Sequence, residues 1–230
     1  MDLSCVSLPF FQFQIDYYHS LPFSNTDSQD LDVPSLMAIL KVSQLWMIEN
    51  SIQWAVSHLN QLGLSPAHRL ELAQMYTIPE WVAPAIHTLI LSPLSTISEN
   101  DTHRLGLCVY SIIAKAHEVI EMKRKMLAAV PPGLSLGPSA SCSDLEHPQC
   151  KDAWIKFWWQ KVARQLLHPT NPLSLTGVVE YVATQTHPVG LNMQCKQEVI
   201  GHVVESGGLA VEEEIINSAV GAARTYFDIL

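Results

Sequence analysis

Residues 33–90 carry the clearest structural signal in the chain, and they read VPSLMAILKVSQLWMIENSIQWAVSHLNQLGLSPAHRLELAQMYTIPEWVAPAIHTLI. Charged residues are few, and apolar residues recur every three or four positions, which is the spacing of an amphipathic α-helix. Gly63 is typical of a helix end, whereas Ser65-Pro66 is typical of a helix start. The stretch therefore predicts an array of short helices.

The helical period continues beyond this stretch. It predicts helices over about 34–46 and 49–62, from Pro66 and from Pro79, and then over about 98–105, 107–130, 149–166, 174–185, 192–205 and 210–228. Pro84 is expected to kink the helix that contains it, because proline lacks a backbone N–H. Short strands at Val178-Val179 and Val203-Val204 are an alternative, since both pairs are β-branched. We predict an all-α protein: a multi-helix array followed by a smaller C-terminal helical bundle.

The clearest break is PPGLSLGPSASCSDLEH, residues 131–147, because proline, glycine and serine dominate it. It divides the chain into four predicted parts. These are an irregular N-terminal segment (1–32), a helical domain (33–130), a linker (131–147) and a C-terminal helical extension (148–230).

Composition argues against nucleic-acid and membrane partners. The chain holds 13 Lys and Arg against 22 Asp and Glu, a formal charge of −9, and shows no concentrated cationic face. Lys123-Arg124-Lys125 is interpreted as a cluster that complements a helix dipole. The most apolar window, near 81–94, is shorter than the roughly 20 residues that cross a bilayer. Five scattered cysteines and no basic N-terminal leader favour a reducing, intracellular location, cytoplasm or nucleus.

A metal site is the sharpest chemical alternative that the sequence offers. Cys142, His147 and Cys150 lie close together, and Cys195 or His168 can supply a fourth ligand of the kind that zinc prefers. Their spacing, C-x4-H-x2-C, lacks the paired C-x2-C of common zinc motifs. We therefore assign no metal ligand, and interpret these residues as linker and buried small side chains, with a zinc-stabilised regulator kept as an alternative.

No pattern points to catalysis. The chain contains no G-x-S-x-G elbow, no H-E-x-x-H pair and no glycine-rich phosphate loop. His58, His68, His87 and His117 are interpreted as residues at the edges of helix faces or in the core. We assign no catalytic residue and no cofactor, and expect a protein that is not an enzyme.

Ordered landmarks give the chain a family resemblance. The matching stretches are LMAILKVSQLWMIENSIQWAVSHL (36–59), LSPAHRLELAQMYTIPEWVAPAIHTLI (64–90) and ISENDTHRLGLCVYSIIAKAHE (97–118). Their landmarks are Pro66…Leu72-Ala73…Tyr76, Trp81…Pro84-Ala85 and Leu105-Gly106. Together they resemble the region that follows the BTB/POZ fold in fungal, chiefly basidiomycete, BTB-domain proteins. Cys150…Trp154…Trp158, Leu167-His168-Pro169 and Gly190-Leu191-Asn192-Met193…Cys195 resemble the C-terminal extension of that family.

The resemblance implies BACK-like helical hairpins and a non-enzymatic protein–protein interaction module. Phe10–Tyr18 then looks like a remnant of a BTB fold whose body is missing here. The partners implied are other proteins of unknown identity, with self-association left open. Two alternatives stay beside it: a substrate adaptor of a cullin-type ubiquitin ligase, and a truncated, functionally degenerate paralogue.

Overall fold

The structure is a computed structural model that describes residues 31–133, 136–205 and 207–228. Within these ranges the chain is all-α and contains no strand, so the strands considered at Val178 and Val203 do not form. In chain order the helices are α1 (Val33–Leu45), α2 (Glu49–Gln61), α3 (Pro66–Tyr76), α4 (Val82–Leu91), α5 (Glu99–Ala129), α6 (His147–Phe157), α7 (Ala163–Leu166), α8 (Gly177–Thr184), α9 (Met193–Glu205) and α10 (Val211–Phe227). The 3-10 turns Pro79–Trp81 and Leu94–Thr96 and the π-helical segment Trp158–Val162 join them.

The helix starts predicted from capping residues are confirmed. The Ser35 N–H donates to the Asp32 carboxylate at 3.0 Å. Similarly, the His68 N–H donates to the Ser65 hydroxyl at 3.2 Å. Each cap satisfies a backbone donor that the first turn of a helix leaves without a partner.

Gly106 and Pro84 differ in their effect on the helices that contain them. Gly106 has φ 68° and ψ 165° inside α5, so the helix predicted to end at Leu105 and its successor meet there at a kink. The expected kink at Pro84 is wrong. Pro84 lies in the first turn of α4, where the missing N–H removes no helical hydrogen bond.

The first hydrophobic cluster lies among α1 to α5 and includes α10. Its fully buried members include Leu40, Leu59 and Ile86, together with Ile113 from the middle of α5. Ala223 of α10 is also fully buried there, so the last helix of the chain packs on the first helices. Burial of these apolar faces is the main source of stability of the array.

The second hydrophobic cluster surrounds the tryptophans of the segment after the linker. Trp154, Phe157 and Trp158 are buried on one face, as their spacing predicts, whereas Trp159 is 46% exposed. The indole N–H of Trp154 donates to the Pro132 carbonyl at 2.9 Å, and that of Trp158 donates to the Leu127 carbonyl at 3.2 Å. These bonds attach the segment to the end of α5.

A buried ion pair joins α5 to α10. Arg124 Nη2 lies 2.6 Å from Glu212 Oε1, and both side chains are less than 5% exposed. The second oxygen of Glu212 accepts the Leu175 N–H at 2.5 Å. Arg124, interpreted from the sequence as part of a cluster that complements a helix dipole, instead lies before the last turn of α5 and pairs with Glu212.

The remaining sequence-based predictions have different outcomes. The proposed remnant Phe10–Tyr18 lies outside the described residues. The four-part division stays a prediction, because the two clusters report packing rather than independent units. Among the described residues, no helix combines the length and the apolar character that crossing a membrane requires.

Candidate metal centre

Three helix and turn elements bring the four residues of the site together. Cys142 lies in a turn whose backbone closes through the bond from its own N–H to the Ser139 carbonyl, at 2.9 Å. His147 and Cys150 occupy the first turn of α6, three positions apart, and therefore lie on one helix face. Cys195 lies in the first turn of α9. We call Cys142, His147, Cys150 and Cys195 the donor cluster.

The donor atoms of this cluster converge. The sulfur atoms of Cys142, Cys150 and Cys195 all lie within 4.8 Å of one another, and all three residues are buried. His147 Nδ1 lies 3.8 Å from the Cys142 sulfur and 3.8 Å from the Cys195 sulfur. Sulfur ligands of a tetrahedral zinc ion lie about 3.8 Å apart, since Zn–S bonds are about 2.3 Å long. The three sulfur atoms therefore have nearly the spacing of ligands in a zinc site, and His147 Nδ1 lies beside two of them.

A hydrogen bond at Nε2 of His147 fixes which ring nitrogen carries the hydrogen. His147 Nε2 lies 3.2 Å from the Leu136 carbonyl oxygen, and a carbonyl can only accept, so Nε2 carries the hydrogen. Nδ1 consequently keeps its lone pair and directs it toward the sulfur atoms. A ligand histidine in a zinc site is oriented in the same way, by a hydrogen bond at its other nitrogen.

Two further hydrogen bonds reach the sulfur atoms. The Asn192 N–H donates to the Cys150 sulfur at 3.0 Å. The Ser139 hydroxyl lies 3.1 Å from the Cys195 sulfur. Donors placed beside sulfur stabilise thiolate over thiol, which is the form that binds a metal.

The side chain of Asn192 positions two parts of the cluster at once. Its oxygen accepts the Gln194 N–H at 2.9 Å and so caps α9, the helix that presents Cys195. Its amide nitrogen donates to the Ser141 carbonyl at 3.1 Å, next to Cys142. Asn192 thereby couples the turn at Cys142 to the helix start at Cys195.

The three thiols titrate as a coupled set. Burial and the neighbouring Cys195 sulfur raise the pKa of Cys142 to about 11. Burial opposes ionisation at Cys195 too, but hydrogen bonds from Ser139 prevail and lower its pKa to about 7. Burial also raises the pKa of Cys150. The pKa of Cys195 is therefore the lowest of the three, and ionisation is easier there than at Cys142 or Cys150.

The structure distinguishes between the two fourth ligands considered from sequence. Cys195 lies in the cluster, whereas His168 Nδ1 accepts the Asn171 N–H at 3.1 Å within its own turn. The assignment of no metal ligand did not anticipate this convergence, because Cys195 is distant in sequence. The sequence signal was Cys142, His147 and Cys150 with Cys195 or His168 as a possible fourth ligand, and spacing alone could not decide between the last two.

The other histidines considered from sequence serve the helices that carry them. His58 Nδ1 lies 2.9 Å from the Trp54 carbonyl oxygen, and His117 Nδ1 lies 2.8 Å from the Ile90 carbonyl oxygen. Both are contacts to backbone, as expected for structural histidines.

Comparisons of the chain with protein-family models, curated proteins and solved structures found no match. The donor cluster and the all-α fold are thus the features from which function is argued.

Proposed function

We propose that the donor cluster binds one zinc ion and that this metal stabilises a non-enzymatic helical interaction protein. The observation that carries the proposal is the convergence of three buried thiols with a histidine whose tautomer is already fixed. A soft set of three sulfurs and one nitrogen favours zinc over magnesium or calcium, which prefer oxygen ligands. With four protein ligands, the site has no open position for substrate and is structural.

Zinc would fasten the linker to the second hydrophobic cluster. Its ligands come from the turn at Cys142, from the start of α6 and from the start of α9. In zinc-finger peptides such binding contributes about 10–16 kcal/mol, depending on pH, and metal binding is coupled to folding. Three thiolates and one neutral imidazole give the zinc site a net charge of −1, which Lys151 beside Cys150 can offset.

The test is the metal content of the full chain purified without chelator. Native mass spectrometry and elemental analysis should show one zinc per chain. After cobalt exchange, the visible spectrum should show tetrahedral bands with thiolate-to-metal charge transfer. Cys195→Ser and His147→Ala should lose the metal or bind it weakly. Cys108→Ser and His168→Ala are matched controls, because Cys108 is exposed and His168 is bonded within its own turn. A chain without stoichiometric zinc, or controls that lose metal equally, would contradict the proposal.

The interaction role is supported by a different observation. One side of α5 and its C-cap residue exposes apolar side chains at helical spacing, Val119, Met122, Met126 and Val130, each at least 37% exposed. Methionine-rich surfaces suit protein partners because their side chains adapt. The resemblance to BTB-domain proteins also favours a role in protein–protein interaction. A cullin that co-purifies with the chain would favour the alternative of a ubiquitin-ligase adaptor.

The α5 surface is tested by a double substitution. Met122→Lys with Met126→Lys should abolish capture of partner proteins from the host and any self-association seen in sedimentation. The helical circular-dichroism signal should be unchanged. Glu118→Lys is the matched control, because it changes charge on an exposed position of α5 without removing apolar surface. If the double variant captured partner proteins as well as the unmodified chain does, this surface of α5 would not be the interaction site.

A further inference from the structure

We propose that the donor cluster is also an oxidation site: a peroxide converts Cys150 and Cys195 to a disulfide and thereby expels the zinc. The proposal rests on the proposed zinc site and adds its regulation. It is carried by two structural observations, the mutual distance of the sulfur atoms and their unequal access to a cleft.

A narrow cleft gives access to part of the cluster. Its lining includes Cys150 and Cys195 together with His147, Lys151, Trp154 and Glu198. Cys142 is not among the described residues that line it. A small neutral oxidant that enters this cleft meets Cys150 and Cys195, whereas Cys142, with 8% of its surface exposed against 3% and 6%, is reached from outside the cleft.

The distances favour a disulfide over deeper oxidation. Each sulfur has the other two within 4.8 Å, so an oxidised sulfur always has a second thiol at hand. A disulfide requires the two sulfurs to approach to about 2.05 Å. Both cysteines lie in first helical turns, of α6 and α9.

The chemistry balances with hydrogen peroxide as the named oxidant. The Cys195 thiolate attacks one peroxide oxygen, the O–O bond breaks, and the leaving hydroxide takes a proton to form water. The resulting sulfenic acid is attacked by the Cys150 thiolate, which forms the S–S bond, and its hydroxide also leaves as water. Two thiolates are oxidised, one peroxide is reduced to two waters, and two protons are consumed.

Loss of two thiolate ligands leaves only Cys142 and His147 for the metal. A structural zinc site needs four ligands, so the ion dissociates. The new disulfide keeps α6 and α9 together, whereas the turn at Cys142 loses its metal bond and is held only by protein contacts such as the Asn192 bond to the Ser141 carbonyl. The expected result is a reversible release of the linker, restored by a thiol reductant and zinc.

The experiment adds hydrogen peroxide to the zinc-loaded full chain and follows zinc with a pyridylazoresorcinol assay. Zinc should appear in equal amount to the disulfide, and peptide mapping should identify the bond as Cys150–Cys195. Dithiothreitol followed by zinc should restore the starting metal content. Cys108→Ser, which changes an exposed cysteine outside the cluster, should release zinc at the rate of the unmodified chain.

A second variant separates metal binding from oxidation. Cys150→His keeps four potential ligands but leaves only Cys142 to resolve an oxidised Cys195, so peroxide should release zinc from this variant several-fold more slowly than from the unmodified chain. If this variant does not load zinc, the disulfide map of the unmodified chain decides alone. A Cys142–Cys195 bond, or zinc retained after peroxide, would overturn the inference and leave the zinc site standing. Absence of zinc before oxidation would instead overturn the proposed function.

Discussion

At the scale of the residue, Asn192 offers the most discriminating test of how the cluster is held. Asn192→Ala removes the cap of α9, worth about 1 kcal/mol, and the bond to the Ser141 carbonyl. Positioning residues around metal ligands typically change affinity 10- to 100-fold, so zinc affinity should fall by about tenfold or more. Competition with a chelator of known affinity measures it.

The matched variants for Asn192 separate its two roles. Asn192→Asp keeps the cap but loses the amide donor to Ser141, so its affinity should lie between those of Asn192→Ala and the unmodified chain. Asn60→Ala, on an exposed position of α2, should change nothing. Equal affinity in all of these variants would show that Asn192 does not position the ligands.

The buried pair Arg124–Glu212 gives a stability prediction at the same scale. Arg124→Met leaves the Glu212 carboxylate buried without its cation, which should lower the free energy of unfolding by about 3–5 kcal/mol. Adding Glu212→Gln removes the buried charge while its amide oxygen can still accept the Leu175 N–H. The double variant should therefore be more stable than Arg124→Met alone in urea denaturation. If the double variant were less stable than Arg124→Met, the unpaired buried carboxylate of Glu212 would not be the cause of the lost stability.

At the scale of the element, the kink in α5 depends on a backbone conformation that only glycine adopts readily. Gly106 has φ 68° and ψ 165°, and a Cβ there would meet nothing within 4 Å. Gly106→Ala should therefore destabilise the chain through backbone strain alone, by about 1–3 kcal/mol. Thermal and urea unfolding measure the change.

Gly221→Ala in α10 is the control for Gly106. A Cβ at Gly221 also meets nothing within 4 Å, and its backbone is helical, so alanine should stabilise α10 by about 0.5–1 kcal/mol. Opposite signs for the two substitutions are the predicted result. The same sign for both would mean that the kink carries no backbone strain.

Helix starts could be predicted from the sequence, whereas contacts between distant helices could not. Helix starts at Ser65 and Ser98 followed from local capping chemistry, and the structure confirms both. The burial of Arg124 did not follow, because its partner Glu212 comes from a distant helix. The donor cluster is a related case: Cys142, His147, Cys150 and Cys195 were named from the sequence as possible ligands, but only the tertiary fold shows that the three sulfurs lie together.

At the scale of the whole molecule, zinc should decide how firmly the linker is attached. Removing the metal with a strong chelator should expose the segment between α5 and α6 to proteolysis, because the turn at Cys142 then lacks its anchor. Cleavage sites mapped by mass spectrometry should fall within residues 136–147. The helices of the first hydrophobic cluster should keep their protection, since none of the four ligands lies in it.

Identical cleavage patterns with and without chelator would contradict that view of the linker. Zinc added back in excess over the chelator is the control, and it should restore protection. The Cys108→Ser variant should behave as the unmodified chain does in both states.

Zinc X-ray absorption of the purified chain tests the central claim most directly. The account predicts a four-coordinate shell of three sulfurs at about 2.3 Å and one imidazole nitrogen at about 2.0 Å. A shell of oxygen and nitrogen alone, or no zinc edge in the purified chain, would contradict it.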